Sequence, residues 1–441
     1  MGKFAFTLIA LFQIATAQSQ ASVLLPSIED VIKNFYSNYA IDNSTDGYIT
    51  FEKRKDCWFA VSNKFERNAL VPIRKYLFYQ QHKGLYEKLP FLSNNFKKEV
   101  NVSDYIDDYT IREYNLQPYY GYPGWYKDVI RYLTTQNDIS ENELNALGRA
   151  YSDHARNLLL DQTQDALPNE LWKIPFNINC LSPTQIEEFN RLEIKSQEYF
   201  KKLDEKNPDF ETPVGKIGIK HANEVMVQFH ILLAHANDFA LKMNLPDNLY
   251  SEAELEIPMK NLNQCKQNSV LVSFGDNDFY PILYLQHKKG FRKDVYLINY
   301  NLIGLDRYIY RITQSQFNAE AIKIASDTTL YRGKQNEVIY VEDSTNTIKM
   351  SDLIDILKKN KAIMERPSIK MGSIILDGLD NSKILISLKE IKYLLKHQWI
   401  LLNILDNLRQ RKIYFQNDFN DELKGLNNYL KKEEGLFFLD N

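Results

Sequence analysis

The sequence predicts an α/β C-terminal domain on a mostly parallel, Rossmann-like sheet, preceded by an α-helical, repeat-like domain and a small α+β N-terminal region. Three observations carry this. Beyond residue 268, short apolar runs rich in β-branched residues alternate with helical patterns, which calls for parallel strands joined by crossover helices. Between residues 119 and 245, amphipathic stretches with capping signals follow one another. The chain of 441 residues also exceeds one ordinary core, so two or three domains are expected.

The expected divisions are a signal peptide at 1–17, a mixed α+β region at 18–118, a helical region at 119–245, a linker at 246–268 and the α/β domain at 269–441. In the first, Lys3 supplies the positive charge, Phe4 to Ile14 the apolar run, and Ala15-Thr16-Ala17 a small-x-small cleavage site. Residues 27–40 place Ile28, Val31, Ile32, Phe35 and Tyr39 on one helical face behind Ser27 and Asp30, a capping pair. Tyr48 to Phe51 and Trp58 to Val61 read as hairpin arms with Arg54-Lys55-Asp56 at the tip. Residues 65–118 read as mixed α/β.

Pro123-Gly124 then opens the helical region. Ser140 with Glu143, and Ser182 with Pro183 and Gln185, mark two helix starts, and Thr212-Pro213 a third. The paired helices, with the small residues Ala146 and Ala150 mid-helix, resemble degenerate tetratricopeptide repeats, whose stacked pairs leave a concave surface suited to extended peptides. Pro246 and Pro258 suggest the linker. Strands are expected at 269–274, 294–299, 337–341, 410–415 and 435–439, the last two close enough together to add an antiparallel pair. Helices are expected at 280–289, 303–314, 316–324, 350–359, 386–397 and 398–409.

The stretch with most chemical content is "VLVSFGDNDFYPILYLQ". An apolar strand stops at Gly275, and Asp276, Asn277 and Asp278 follow. Ligands of open α/β sheets bind beyond the carboxyl ends of the strands, and Asn299, ending the next strand, shares that edge. Asp276, Asn277, Asp278 and Asn299 are therefore candidate ligand-binding residues. Asp276 and Asp278 also read as D-x-D, a pair able to hold Mg2+ or Mn2+. The structural alternative makes Asp278 the N-cap of a helix beginning at Phe279, with Asp276 and Asn277 in a tight turn. No catalytic residue is assigned.

Other motifs are sparse. The chain has no HExxH, no G-x-S-x-G, no CxxC and no Walker lysine, and His230 and His235 read as surface or interfacial. Cys57, Cys180 and Cys265 read as small buried hydrophobes, with pairing of two of them left open. A formal net charge of -3 argues against nucleic acid as a partner. Past the signal, no apolar stretch is long enough to span a membrane.

"VLVSFGDNDFYPILYLQHKKGFRKDVYLINYNLI" resembles the soluble C-terminal region of bacterial protein O-mannosyltransferase-like membrane proteins, placed in glycosyltransferase family 117. Gly275 to Asp278, Pro281, Tyr284, Gln286, Arg292, Asp294 and Val295 carry the likeness. "LYRGKQNEVIYV", "LLKHQWILLNILDNLRQRKIYFQ" and "GLNNYLKKEEGLFFL" extend it in the same order, over about 265–441. The resemblance implies the fold and an extracytoplasmic location. It does not imply transferase activity, because that family's chemistry resides in a polytopic membrane domain with no counterpart here. The expectation is an exported soluble envelope protein, periplasmic, outer-membrane-associated or secreted, that binds a protein or glycan partner without catalysis or cofactor. The alternative is a metal-assisted transferase or hydrolase working through Asp276 and Asp278 on a sugar or phosphate-bearing substrate.

Overall fold

A computed structural model describes residues 24–66, 69–94, 99–159, 180–324, 330, 338–342, 345–362, 368–377, 383–389, 391–408, 411–419 and 423–439. The expected signal peptide and its cleavage site lie outside them. The chain divides into two compact units, residues 1–63 with 72–115, and residues 64–71 with 116–441.

In the first unit, α1 (Ile28–Asn38) starts where the capping signal places it, with Ser27 Oγ accepting from the Asp30 amide. Its apolar stripe buries Ile28, Val31, Ile32 and Phe35. The expected hairpin forms with longer arms, β1 (Tyr48–Arg54) and β2 (Cys57–Glu66), paired antiparallel with Phe51 opposite Ala60. β3 (Ala69–Gln80) and β4 (Leu85–Tyr86) complete a four-stranded sheet in the order β1-β2-β3-β4. Phe35 is the hub of the core, with the rings of Tyr36, Tyr39, Phe51, Phe78 and Phe91 between 5.0 and 5.6 Å away. On α2 (Asp108–Leu116), the Tyr114 hydroxyl donates to the Phe51 carbonyl at 2.5 Å.

The second unit opens with α3 (Trp125–Leu133), α4 (Glu141–Asn157) and α5 (Pro183–Lys206), the latter two behind complete capping boxes at Ser140 and Ser182. α6 (Ile217–His235) follows, and each of these helices packs on the next in sequence. Gly148 lets α4 and α5 approach closely, since a Cβ there would lie 2.5 Å from the Phe200 ring. Thr212-Pro213 does not open α6. Glu211–Thr212 and Gly215–Lys216 pair as β5 and β6, and Thr212 Oγ1 donates to the Gly215 carbonyl, so the hydroxyl closes a turn instead of capping a helix.

The expected linker at 246–268 holds a helix, α7 (Glu252–Gln264), behind a complete capping box formed by Ser251 and Glu254. Pro258 sits buried inside it. The breaker residue misleads here because the capping box and the burial of Leu255, Pro258 and Leu262 outweigh one lost backbone bond.

From here the five expected strands all occur, but the sheet is not mostly parallel. β7 (Val270–Ser273), α8 (Asp276–Lys288) and β8 (Tyr296–Asn299) make one parallel crossover. α9 (Asp306–Ile312), β9 (Val338–Glu342), β10 (Thr347–Lys349), α10 (Met350–Ala362), β11 (Ser368–Lys370), β12 (Ser373–Asp377), β13 (Lys383–Ser387) and β14 (Tyr393–Leu395) follow. α11 (Lys396–Asn407) leads into β15 (Ile413–Phe415), and β16 (Leu430–Glu433) and β17 (Leu436–Leu439) close the chain. The main sheet runs β16-β17-β15-β7-β8, parallel across β15, β7 and β8 and antiparallel at β17 and β16. Two separate three-stranded sheets, β11-β9-β14 and β10-β12-β13, each combine one parallel and one antiparallel pair. Connection length explains the difference. β12 to β13 and β16 to β17 are joined by too few residues for a crossover helix, so they pair antiparallel. The second turn, Glu434-Gly435, has φ of 47° and 114°, the left-handed pair a tight hairpin needs.

The helices expected at 316–324 and 386–397 do not form. The first holds an isolated bridge between Gln316 and Ala319, and the second contains the end of β13, all of β14 and only the first two residues of α11. The three cysteines are free; only Cys265 is buried, and Cys180 is exposed, so burial as small hydrophobes holds for one of them. Among the described residues no helix is long and apolar enough to cross a membrane.

Candidate functional site

The three parallel strands share one pattern. Each is an apolar triplet followed by a neutral polar residue: Val270-Leu271-Val272-Ser273, Tyr296-Leu297-Ile298-Asn299 and Ile413-Tyr414-Phe415-Gln416. Register aligns them. Ser273 is opposite Asn299, Phe415 is opposite Val272, and the Gln416 amide donates to the Val272 carbonyl at 3.1 Å. Side chains alternate along a strand, and Leu271, Leu297 and Tyr414 pack in the cluster that also holds Met226, Leu262 and Leu283. Gln416, Ser273 and Asn299 therefore form a row across the carboxyl edge, on the face covered by α6, α7 and α8.

Each of the three carries a buried polar atom with no hydrogen-bond partner: Ser273 Oγ, Asn299 Nδ2 and Gln416 Oε1. Ser273 is 0% and Asn299 1% exposed. Asn299 Oδ1 is already used, accepting from the Asn301 amide at 3.1 Å, which leaves its amide nitrogen as the free donor. The edge is also where the strand order reverses. α8 leaves β7 toward β8, whereas α11 delivers β15 to the other side of β7 and packs on the opposite face of the sheet. Crevices at such switch points are the usual ligand sites of parallel sheets.

Gly275 makes the turn, with φ 127° and ψ 174°, a conformation open essentially to glycine alone. The helix then begins at Asp276, earlier than expected, so Asp278 lies inside the first turn and makes no cap. The acidic triplet divides by role. Asn277 is tied into the fold: its Nδ2 donates to the Val214 carbonyl at 2.8 Å, and its Oδ1 accepts from Asn223 Nδ2 at 2.7 Å. Asn223 in turn accepts from the Tyr250 hydroxyl at 2.8 Å. Asp276 reaches solvent, yet the protein around it pushes its carboxyl up, against the pull of Arg156 and Lys220. Burial also pushes Asp278 up. Among the described residues no group of three His, Cys, Asp or Glu is placed to hold a metal ion.

Asp276 borders a charged cluster that sequence reading does not single out. Glu224 on α6 accepts from Ser152, from Lys220 and from Arg156 Nη2, the last at 2.6 Å. Lys220 and Arg156 hold the Glu224 carboxyl down to about 2, although burial opposes them. Glu193 on α5 is fully buried with neither carboxyl oxygen partnered, and burial together with the Glu224 charge pushes it well up. The available signal is a charged residue inside an apolar helical run, Glu224 within "HANEVMVQFHILL", with Lys220 one turn before it. His230 and His235 are buried, contrary to expectation, and burial pushes them down to about 3 and about 4.

Several residues of the family-like segment serve the fold. The Arg292 guanidinium pairs with Asp294 at 2.9 Å and donates to the Leu262 and Cys265 carbonyls. Gln286 Nε2 donates to the Arg292 and Val295 carbonyls, joining the end of α8 to the start of β8.

A family model described as TMEM260-associated domain 2 matches residues 255–374, less than a third of the chain, and this span includes β7, the Gly275 turn and β8. No curated protein and no solved structure matches the chain.

Proposed function

We propose that this chain is an exported envelope protein that binds a protein or glycan partner without catalysis. The proposal includes kinship with the soluble C-terminal region of protein O-mannosyltransferase-like proteins of glycosyltransferase family 117. The binding site is the carboxyl edge of β15, β7 and β8. One observation carries this: three neighbouring parallel strands each end in a neutral side chain with an unpartnered buried atom. Each such atom costs about 1–3 kcal/mol, so a fold keeps three in a row where water or a ligand completes them. A hydroxyl, an amide N–H and an amide carbonyl match the hydroxyls of a sugar or the amides of a peptide. The sequential packing of α3 to α6 supports a second contact surface for a protein partner.

The test is a thermal melt of the full chain with a panel of neutral oligosaccharides and short peptides, beside Ser273→Ala. A binding ligand raises the melting temperature by mass action. The expected result is a rise in the wild type that Ser273→Ala loses while melting no lower itself. No rise with any probe overturns the proposal. So does a variant that melts lower yet keeps the rise, because Ser273 would then be a structural hydroxyl.

A further inference from the structure

We propose that an open groove between α7 and the strands β15, β17 and β16 is a second site, which binds a neutral saccharide. It is separate from the strand-end row and does not depend on it. The groove has a volume of 680 Å³, within the range of small-ligand sites. Its floor is Tyr414, Leu436 and Phe438, which strand alternation places on one face. The Tyr414 and Phe438 rings lie 6.3 Å apart, and Lys412 Nζ stands 3.8 Å from the Phe438 centroid. The wall is a stripe of α7 at helical spacing, Glu256, Met259, Lys260 and Asn263, turned away from the face that buries Leu255 and Leu262.

The charges of the lining define the occupant. Three lysines (Lys260, Lys266, Lys412) face three glutamates (Glu256, Glu433, Glu434), so the groove has no net charge. Glu256, Lys260, Lys266 and Glu433 form no ion pair among the described residues. At one end Gln264 Nε2 donates to the Glu434 carbonyl at 2.8 Å, while its buried Oε1 has no partner. An anionic ligand would meet three carboxylates and a cationic one three ammonium groups. An apolar segment would strip water from unpaired charges without replacing it. A saccharide satisfies all of them: each hydroxyl donates to a carboxylate or accepts from an ammonium, and its C–H groups rest against Phe438, the partly exposed member of the floor.

The test is calorimetric titration of the full chain with cellotriose, maltotriose and mannotriose. The variants are Glu433→Gln and Met259→Arg in the groove, Ile257→Ala on the exposed face of α7 outside it, and Ser273→Ala at the strand ends. The expected result is binding of at least one trisaccharide that Glu433→Gln weakens about tenfold, the loss of one charge-assisted hydrogen bond. Met259→Arg should block it, and Ile257→Ala and Ser273→Ala should leave it unchanged. Absence of binding by all three sugars overturns the proposal. So does binding indifferent to both groove variants. Binding lost in Ser273→Ala and kept in Glu433→Gln overturns it as well and places the sugar at the strand ends.

Discussion

Replacing Asn277 by Ala separates a structural from a ligand-binding role for the acidic triplet. The side chain makes two bonds, 2.8 Å to the Val214 carbonyl and 2.7 Å from Asn223 Nδ2. Each is worth about 1 kcal/mol net. Asn223 is only 3% exposed, so its stranded amide donor adds roughly 1–3 kcal/mol. The expected loss is therefore about 3–5 kcal/mol, large for a position at the protein surface. Asn277→Asp should fare no better: it keeps the acceptor toward Asn223 but sets a carboxylate against the Val214 carbonyl. The assay is urea unfolding of the full chain, with hydrogen exchange at the amides of residues 214–224 and of α8 to localise the loss. A variant within about 0.5 kcal/mol of wild type, with unchanged exchange at these amides, would refute the reasoning and return Asn277 to the ligand-binding set.

Four further outcomes follow. Gly275→Ala should cost about 1–3 kcal/mol, read by urea unfolding, because φ of 127° is closed to a side chain. Phe35→Ala should cost about 3–5 kcal/mol, read as loss of the first unit's near-ultraviolet signal at lower denaturant, since five rings pack on it. Glu224→Gln should cost roughly 1.5–3 kcal/mol at neutral pH, because it weakens the charge-assisted bonds from Arg156 and Lys220, which still reach solvent, and thermal melts check this. Between its ordinary pKa and its raised folded value, Glu193 holds its proton in the folded chain and releases it on unfolding. The folded state therefore binds more protons in that window, and stability falls as pH rises through it, by at most roughly 1.4 kcal/mol per unit. Glu193→Gln should flatten this slope, and unfolding curves collected from pH 4 upward would show it.

What the sequence reveals follows from how local each signal is. Ser27, Ser140 and Ser182 announce their helices because a cap and its partner lie three residues apart. The same signal at Ser251 is obscured by Pro258, and the helix is missed. Strand positions are legible from apolar runs, and the closeness of the last two expected strands gives the antiparallel pairing of β15 with β17, whereas β16, set by a two-residue turn, is not legible from them. At the candidate site, Gly275 and Asn299 are visible from the pattern. Ser273 and Gln416 are visible only when three strand ends, as much as 143 residues apart, are laid side by side. The Glu193, Glu224 and Arg156 cluster joins α4, α5 and α6, and no spacing within one helix encodes it.

The two sets of polar groups around the Gly275 turn favour different ligands. Glu224 collects three donors, so the charged cluster is closed on itself, and Asp276 at its border already feels Arg156 and Lys220. A cation drawn to Asp276 would meet those two positive side chains before it met a second free carboxylate, and Asp278 stands where burial favours the protonated acid. The row of Gln416, Ser273 and Asn299 offers uncharged donors and acceptors whose only unmet need is a hydrogen bond. A neutral group from a partner meets that need without working against the charges nearby, and so the strand-end row, more than the acidic pair, suits the edge to binding.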